Sequence, residues 1–404
     1  MTARFDTSDT EKSPFRKLAV ASVAVAGLTL CSAGAFAADA DGAIPGLPAA
    51  PYTTVETLGS ALFFDLNLSK NRSQSCATCH DPEIAFVDPR GDAVSLGDDG
   101  TSLGDRNAPT AAYSSFSPAF HKTKAGIFAG GQFHDGREPD LAGQAGGPPL
   151  NPIEMGMPDK ASVVARLMEN ADYVTAFKAL YGDDIFTEAD TAYAAMTKSI
   201  AAFEMTPAFA PFDSKYDRYL RGEVKLTAEE ELGQVLFFSA QFTNCNLCHQ
   251  LRKTPGAAKE TFSNYEFHNI GVPENRAVRA INGVAKGFKD RGLLENPAID
   301  DQSQAGKIKV PTLRNVAVTG PYMHNGVFED LRTVILFYDK YNSKDPKRAI
   351  NPETGQPWAP PEIDGTLSMK ELETGPALDD KRVDALVAFL KTLTDRRYER
   401  LLDQ

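Results

Sequence analysis

Apolar residues recur with the 3.6-residue period of a helix over 161–181, 188–206, 226–238, 329–341 and 379–396. Thr227 followed by Glu230 has the spacing of a capping box at the start of the third stretch. Asp379-Asp380 places acidic residues at the start of the last, where the helix dipole favours them. Two segments share one apolar pattern: Leu58-Gly59-Ser60-Ala61-Leu62-Phe63-Phe64 and Leu232-Gly233-Gln234-Val235-Leu236-Phe237-Phe238. This L-G-x-x-L-F-F is an internal repeat at about a domain's spacing, which points to a duplicated unit. Strand patterns are sparse. Asp81–Pro158 is long, Gly/Pro-rich and weakly periodic, and loops of that length are commonly functional. A second insert, Asn342–Pro376, carries the single tryptophan, Trp358. The pattern therefore predicts a mainly α fold in which long ordered loops join the helices.

One apolar run stands apart, Leu18 to Leu30, preceded by Arg16-Lys17 and followed by Ala35-Phe36-Ala37. A basic start, a short apolar stretch and an Ala-x-Ala end read as a secretory signal, with cleavage after Ala37. The run is shorter than the ~20 residues a membrane span needs. Leu30 is too bulky to make Cys31 a lipid-anchored cysteine. The expected compartment is a bacterial periplasm, with no membrane span after cleavage. The remaining composition, 42 % hydrophobic and 24 % charged over 404 residues, is that of a globular chain. The net charge of −12 becomes −13 once the signal's four basic and three acidic residues leave. That balance argues against nucleic acid as a partner.

Five cysteines are present and Cys31 departs with the signal. The other four lie in two identical patterns, Cys76-Ala-Thr-Cys79-His80 and Cys245-Asn-Leu-Cys248-His249. Two thiols at this spacing add across the two vinyl groups of one haem, and the histidine that follows is placed under the iron. A redox C-x-x-C would need a βαβ context that the chain lacks. One zinc on four cysteines would leave both histidines unexplained. Disulfides suit small exported domains without a core, and this chain is long enough to have one. Two covalent c-type haems are therefore expected, each after an L-G-x-x-L-F-F segment. The implied division is 1–37 signal, 38–225 N-terminal haem domain and 226–404 C-terminal haem domain.

With these motifs the chain resembles the bacterial di-haem cytochrome c peroxidase and MauG family. The resemblance also rests on Arg106-Asn107-Ala108-Pro109-Thr110, Asp135-Gly136-Arg137 and Asn151-Pro152-Ile153-Glu154-Met155. It extends through Asn269-Ile270-Gly271-Val272-Pro273, Pro311-Thr312-Leu313-Arg314-Asn315 and Pro321-Tyr322-Met323-His324-Asn325-Gly326. It implies two tandem cytochrome c-like haem domains. His80 would hold the iron that meets hydrogen peroxide, and His249 the iron that receives electrons. Glu154 would be the acid of the peroxide pocket, with Gln144 and Pro148 beside it. A calcium ion between the haems would take Asn107 and the carbonyls of Thr319 and Pro321. Electrons would come from a small redox protein, a cytochrome c or cupredoxin. The alternative within the family is a MauG-like enzyme that oxidises residues of a partner protein through a high-valent iron state. A di-haem electron carrier without catalysis is the reading from another class.

Three positions depart from the peroxidase pattern. His134 in Phe133-His134-Asp135-Gly136-Arg137 stands where many relatives carry tryptophan. The loop Leu96–Arg106 has no histidine, which implies an open iron site at rest. Tyr338 falls where the second iron's methionine is usual, a MauG-like choice. Read from the residues alone, without the resemblance, Glu154 is a solvated loop carboxylate, and Tyr338 a core tyrosine while a methionine such as Met323 binds iron. Met155 and Met157 read as core. His268 and His324 read as hydrogen-bonding groups near haem. His121 reads as a surface or core histidine, and His134 as either that or a relay.

Overall fold

The computed structural model describes residues 49–403 apart from Ala240 and Lys253, so the expected signal and Cys31 lie outside the described residues. Among the described residues no helix is long and apolar enough to cross a membrane. The helices are α1 (Val55–Phe63), α2 (Cys76–Cys79), α3 (Leu141–Ala145), α4 (Lys160–Met168), α5 (Ala171–Tyr181), α6 (Ala189–Glu204) and α7 (Lys215–Leu220). They continue with α8 (Ala228–Phe238), α9 (Cys245–Cys248), α10 (Arg276–Arg279), α11 (Leu331–Asp339), α12 (Met369–Leu372) and α13 (Asp380–Lys391). Among the described residues sheet is confined to three two-stranded antiparallel ribbons, pairing 121–122 with 128–129, 267–268 with 308–309, and 350–351 with 356–357. The mainly α expectation is met.

Local chemistry sets the helix ends. Thr227 and Glu230 form the expected capping box on α8. The Asp379 carboxylate accepts the Arg382 N–H at the start of α13. The single helix expected over 161–181 is instead two. The Asn170 side chain accepts the Asp172 and Tyr173 amides and starts α5 afresh after α4. The last helix stops at Lys391 rather than 396, and a 3₁₀ segment, Arg396–Leu401, follows Asp395.

Two hydrophobic cores result. The first gathers Leu58, Leu62, Phe63, Val163, Leu167, Phe177, Met196 and Phe203, with Met155 and Met157 buried in it as expected. The second gathers Leu236, Phe237, Phe262, Leu336, Val383, Leu386 and Phe389. The L-G-x-x-L-F-F repeat explains how each is built. A Cβ on Gly59 of α1 would sit 1.8 Å from the Ser199 carbonyl oxygen on α6, and one on Gly233 of α8 would sit 1.9 Å from that of Ala385 on α13. Only glycine lets each helix pair cross backbone against backbone. The phenylalanines that follow then meet Phe203 and Phe389 edge-on or tilted, at 5.5 Å from Phe63 and 5.3 Å from Phe237.

A second repeat follows each haem motif. Thr110 Oγ1 donates to the Ala85 carbonyl at 2.6 Å, and Thr312 Oγ1 to that of Thr261 at 2.7 Å. Tyr113 and Asn315, at matching places three residues further on, both adopt the left-handed conformation. Both end on one buried carboxylate, Asp395, at 2.6 Å from the Tyr113 hydroxyl and 2.8 Å from the Asn315 amide. Arg314 is buried between them, paired with Asp217 at 2.5 and 3.0 Å.

Candidate functional site

Each Cys-x-x-Cys forms one helical turn, α2 or α9, and the histidine after it caps that turn. No disulfide joins the four cysteines of these motifs. His80 Nδ1 donates to the Phe86 carbonyl at 3.1 Å, and His249 Nδ1 to the Phe262 carbonyl, also at 3.1 Å. Both phenylalanines hold a left-handed backbone, with φ of 56°. These bonds fix each ring and leave Nε2 as the free ligand, the usual arrangement around a metal-binding imidazole. Burial holds both imidazoles neutral, His249 down to about 4, which is the form that ligates iron. The donor set therefore fits two haems of one kind.

The surroundings of the two motifs differ. A cavity of about 370 Å³ opens beside the second, lined by Cys245, Cys248 and His249 together with Tyr338, Met323 and His268. Its volume is that of a cofactor or ligand pocket. Tyr338, near the end of α11, is buried, which pushes its phenol above 10, and it lies close enough to Cys248 and Cys245 for the ionised thiols to add to that shift. Tyr338 and Met323, the two rival ligands, both line this cavity. His268 Nδ1 is 3.3 Å from Ser368 Oγ.

The far wall of the same cavity comes from the long loop after the first motif. Asn107 and His134 line it, facing Thr319, Pro321 and His324. Asp81–Pro158 is thus ordered, and it walls the pocket of the other motif. His134 Nε2 donates to the Asn107 carbonyl at 3.0 Å, and the Asn107 amide to the His324 carbonyl at 2.7 Å. The His134 and His324 rings meet edge-on at 6.5 Å. Among the described residues no cluster of acidic, His or Cys side chains forms a metal site. A calcium ion here would rest on neutral oxygens, an amide and two carbonyls, completed by water.

Glu154 lies with the first motif. Its loop folds back so that the Met155 amide donates to Pro148 and the Asp98 amide to Glu154's own carbonyl, at 3.2 and 2.7 Å. Pro148 opens the turn just after α3, whose Gln144 carbonyl accepts the Gly147 amide at 2.9 Å. The three pocket residues named by sequence thus share one loop cluster. Glu154 Oε1 accepts from Asn151 Nδ2 at 2.9 Å. Burial raises its carboxyl above the usual range, against the pull of Asn151 and Arg137. Its charge is felt at both Cys76 and Cys79. His121 is exposed on a ribbon, its Nδ1 bonded to the Ala119 carbonyl at 2.8 Å.

Sequence reasoning missed the charged ladder between the two sites. Arg106 grips Asp290 through Nε and Nη2, both at 2.7 Å, and Asp135 at 2.6 Å. Arg137 reaches Asp135 at 2.8 Å while its guanidinium lies 3.6 Å above the Phe133 ring. His324 stands 3.8 Å from Asp290. Arg106, Asp135 and Arg137 sit in motifs that could have flagged them. Asp290, 184 residues from Arg106, carried no signal.

Residues 53–225 match a family described as di-haem cytochrome c peroxidase. Over 351 residues the chain is 56 % identical to the methylamine utilization protein MauG of Paracoccus denitrificans, covering 86 % of this chain and 90 % of that one. It is 31 % identical over 338 residues to the cytochrome c peroxidase Ccp of Escherichia coli, covering 83 % of this chain and 57 % of that one. Among solved structures it resembles the diheme peroxidase BthA from Burkholderia thailandensis, with a TM-score of 0.74 at 32 % identity over 85 % of this chain and 86 % of that one. A MauG-like protein associated with microbial copper homeostasis gives a TM-score of 0.63 at 29 % identity over 87 % and 94 %.

Proposed function

The chain belongs to the di-haem cytochrome c peroxidase family, an oxidoreductase family that includes MauG, and from that premise we propose a periplasmic peroxidase that reduces hydrogen peroxide to water with electrons from a small redox protein. The observation that carries this reading is the asymmetry of the two motifs. A carboxyl with a raised pKa lies by the first, and a phenol lines the cavity of the second. Cys76 and Cys79 hold one haem and Cys245 and Cys248 the other, with His80 and His249 as iron ligands. Each bound haem supplies one-electron iron chemistry. The domains run 38–225 and 226–404, after a signal that ends at Ala37. The two hydrophobic cores support two domains, with Tyr216 of α7 already packed in the second core.

Glu154 takes the proton of the inner peroxide oxygen and returns it to the outer one, which leaves as water. Its raised pKa suits a group that must be both base and acid. Gln144 and Pro148 shape the wall of this pocket. Tyr338 would be a ligand of the second haem's iron, and Asn107, Thr319 and Pro321 would hold a calcium ion. Electrons enter at the second motif, where the apolar side chains of Phe242, Leu247 and Leu251 are exposed around α9. The donor is a cytochrome c or cupredoxin with a basic patch, matching the net charge of −13 left after signal cleavage.

A second reading is favoured by the 56 % identity to MauG and by Tyr338: an enzyme that oxidises residues of a partner protein. Rapid mixing with hydrogen peroxide, with and without reduced cytochrome c, separates the two. Fast donor oxidation is expected. A long-lived oxidised form that ignores the donor supports the second reading, and no reaction with peroxide sinks both.

A further inference from the structure

The first core contains an acid that the proposed chemistry does not use. Glu204, the last residue of α6, is 6 % exposed, and its Oε2 has no hydrogen-bond partner among the described residues. A buried carboxyl oxygen left unpaired is costly and calls for an explanation. Its place in the fold offers one. The ring of its neighbour Phe203 packs on Phe63 at 5.5 Å and on Phe209 at 5.0 Å. Phe209 stacks at 4.1 Å on Phe86, whose carbonyl holds the His80 ring. The Glu204 carboxyl is also one of the groups that acts on the Cys76 thiol. Glu204 therefore lies within the packing that surrounds the first haem motif, on a different element from Glu154.

We propose that Glu204 is the proton partner of the haem on His80: when that iron gains an electron, the Glu204 carboxylate gains a proton. The inference rests on the reading that His80 carries a haem. The electron comes from the redox donor, the proton from solvent, and the one new bond is O–H on Glu204. The added negative charge in a buried site is thereby cancelled, which is the physical reason such coupling occurs.

Burial alone sets the carboxyl's affinity, raising it to about 8, so that it is ionised and free to take up a proton above that pH. Glu56 on α1 and Lys160 and Arg166 on α4 are the charges on helices packed against α6, and none is among the influences on it. Cys76 is the titratable group that faces it from the haem motif, and as a thioether it would no longer ionise. Glu154, the other acid felt at Cys76, is tested alongside.

The test is a spectroelectrochemical titration of the purified di-haem protein between about pH 6.5 and 9. One of the two haem potentials should be flat at the acid end and fall with pH above about 8, where the carboxyl is ionised before reduction, by at most about 59 mV for each tenfold drop in proton concentration. Glu204→Gln should remove at least half of that slope and leave the other haem's potential unchanged. Wild-type potentials flat with pH, a full slope in Glu204→Gln, or a slope lost only in Glu154→Gln would overturn the proposal. If Glu204→Gln fails to load haem, the reduction-induced infrared difference spectrum of the wild type decides. It should gain a carboxylic acid C=O band that moves in Glu204→Asp, and its absence overturns the proposal. An intact mass lacking either haem would instead refute the reading of the haem motifs.

Discussion

Replacing Gly233 with alanine probes the crossing that builds the second haem site. The added Cβ would lie 1.9 Å from the Ala385 carbonyl oxygen, where ordinary contact begins at 3.4 Å, so α8 and α13 must part by about 1.5 Å. The obstacle is backbone, which cannot swing aside as a side chain would. Parting by this much loosens Phe237 against Phe389 and Leu236 within the second core. A radial gap of 0.5–1 Å already forfeits about a quarter to a half of a dispersion contact. Overpacking of this kind costs roughly 3 kcal/mol. Against it stands a gain of about 1 kcal/mol from alanine's helix propensity. The expected net loss is about 2 kcal/mol in urea unfolding followed by far-ultraviolet circular dichroism. Gly59→Ala, 1.8 Å from the Ser199 carbonyl oxygen, should behave alike in the first core. A Gly233→Ala protein as stable as its parent, or more so, would refute the close crossing, because propensity alone predicts that result.

Three further outcomes follow from the sites. Glu154→Gln should keep both haems yet slow peroxide cleavage by ~10²-fold in stopped-flow mixing, and an unchanged rate removes Glu154 from the chemistry. Tyr338→Phe should alter the ferric spectrum of the second haem; a methionine-type sulfur-to-iron band present in the wild type and unaffected by the substitution would reassign the ligand to a residue such as Met323. Burial raises Asp395 from 3.8 to about 6, so its folded form binds a proton more tightly than its unfolded form. Its stabilisation is therefore full below about pH 4 and lost as the pH rises through about 6, by roughly 3 kcal/mol. Urea midpoints of wild type and Asp395→Asn should converge or cross over that window, and a constant difference between them would show that Asp395 does not titrate there.

The chemistry of the chain was legible in its sequence because covalent haem attachment demands fixed local spacing. Cys-x-x-Cys-His is a local instruction, and the structure folds each copy into a single turn with the histidine at its end. The L-G-x-x-L-F-F repeat was equally plain, since a helix crossing needs glycine at one position and aromatic residues just after it. Helix boundaries were less legible. A periodic run such as 161–181 does not show that Asn170 will cap a new helix in its middle. Tertiary structure alone decided which distant segments share a site. It brought the loop after the first motif to the cavity of the second, so that Asn107 and His134 face Thr319 and His324. It also closed Arg106 on Asp290, and set Tyr113 and Asn315 on the two oxygens of Asp395. These pairings join residues 80 to 282 positions apart, and a lone Asp in a loop gives no sign of its partner. Charge complementarity and burial select that partner only when packed helices hold both segments within hydrogen-bond reach, so the haem motifs could be read from the chain and the network between them could not.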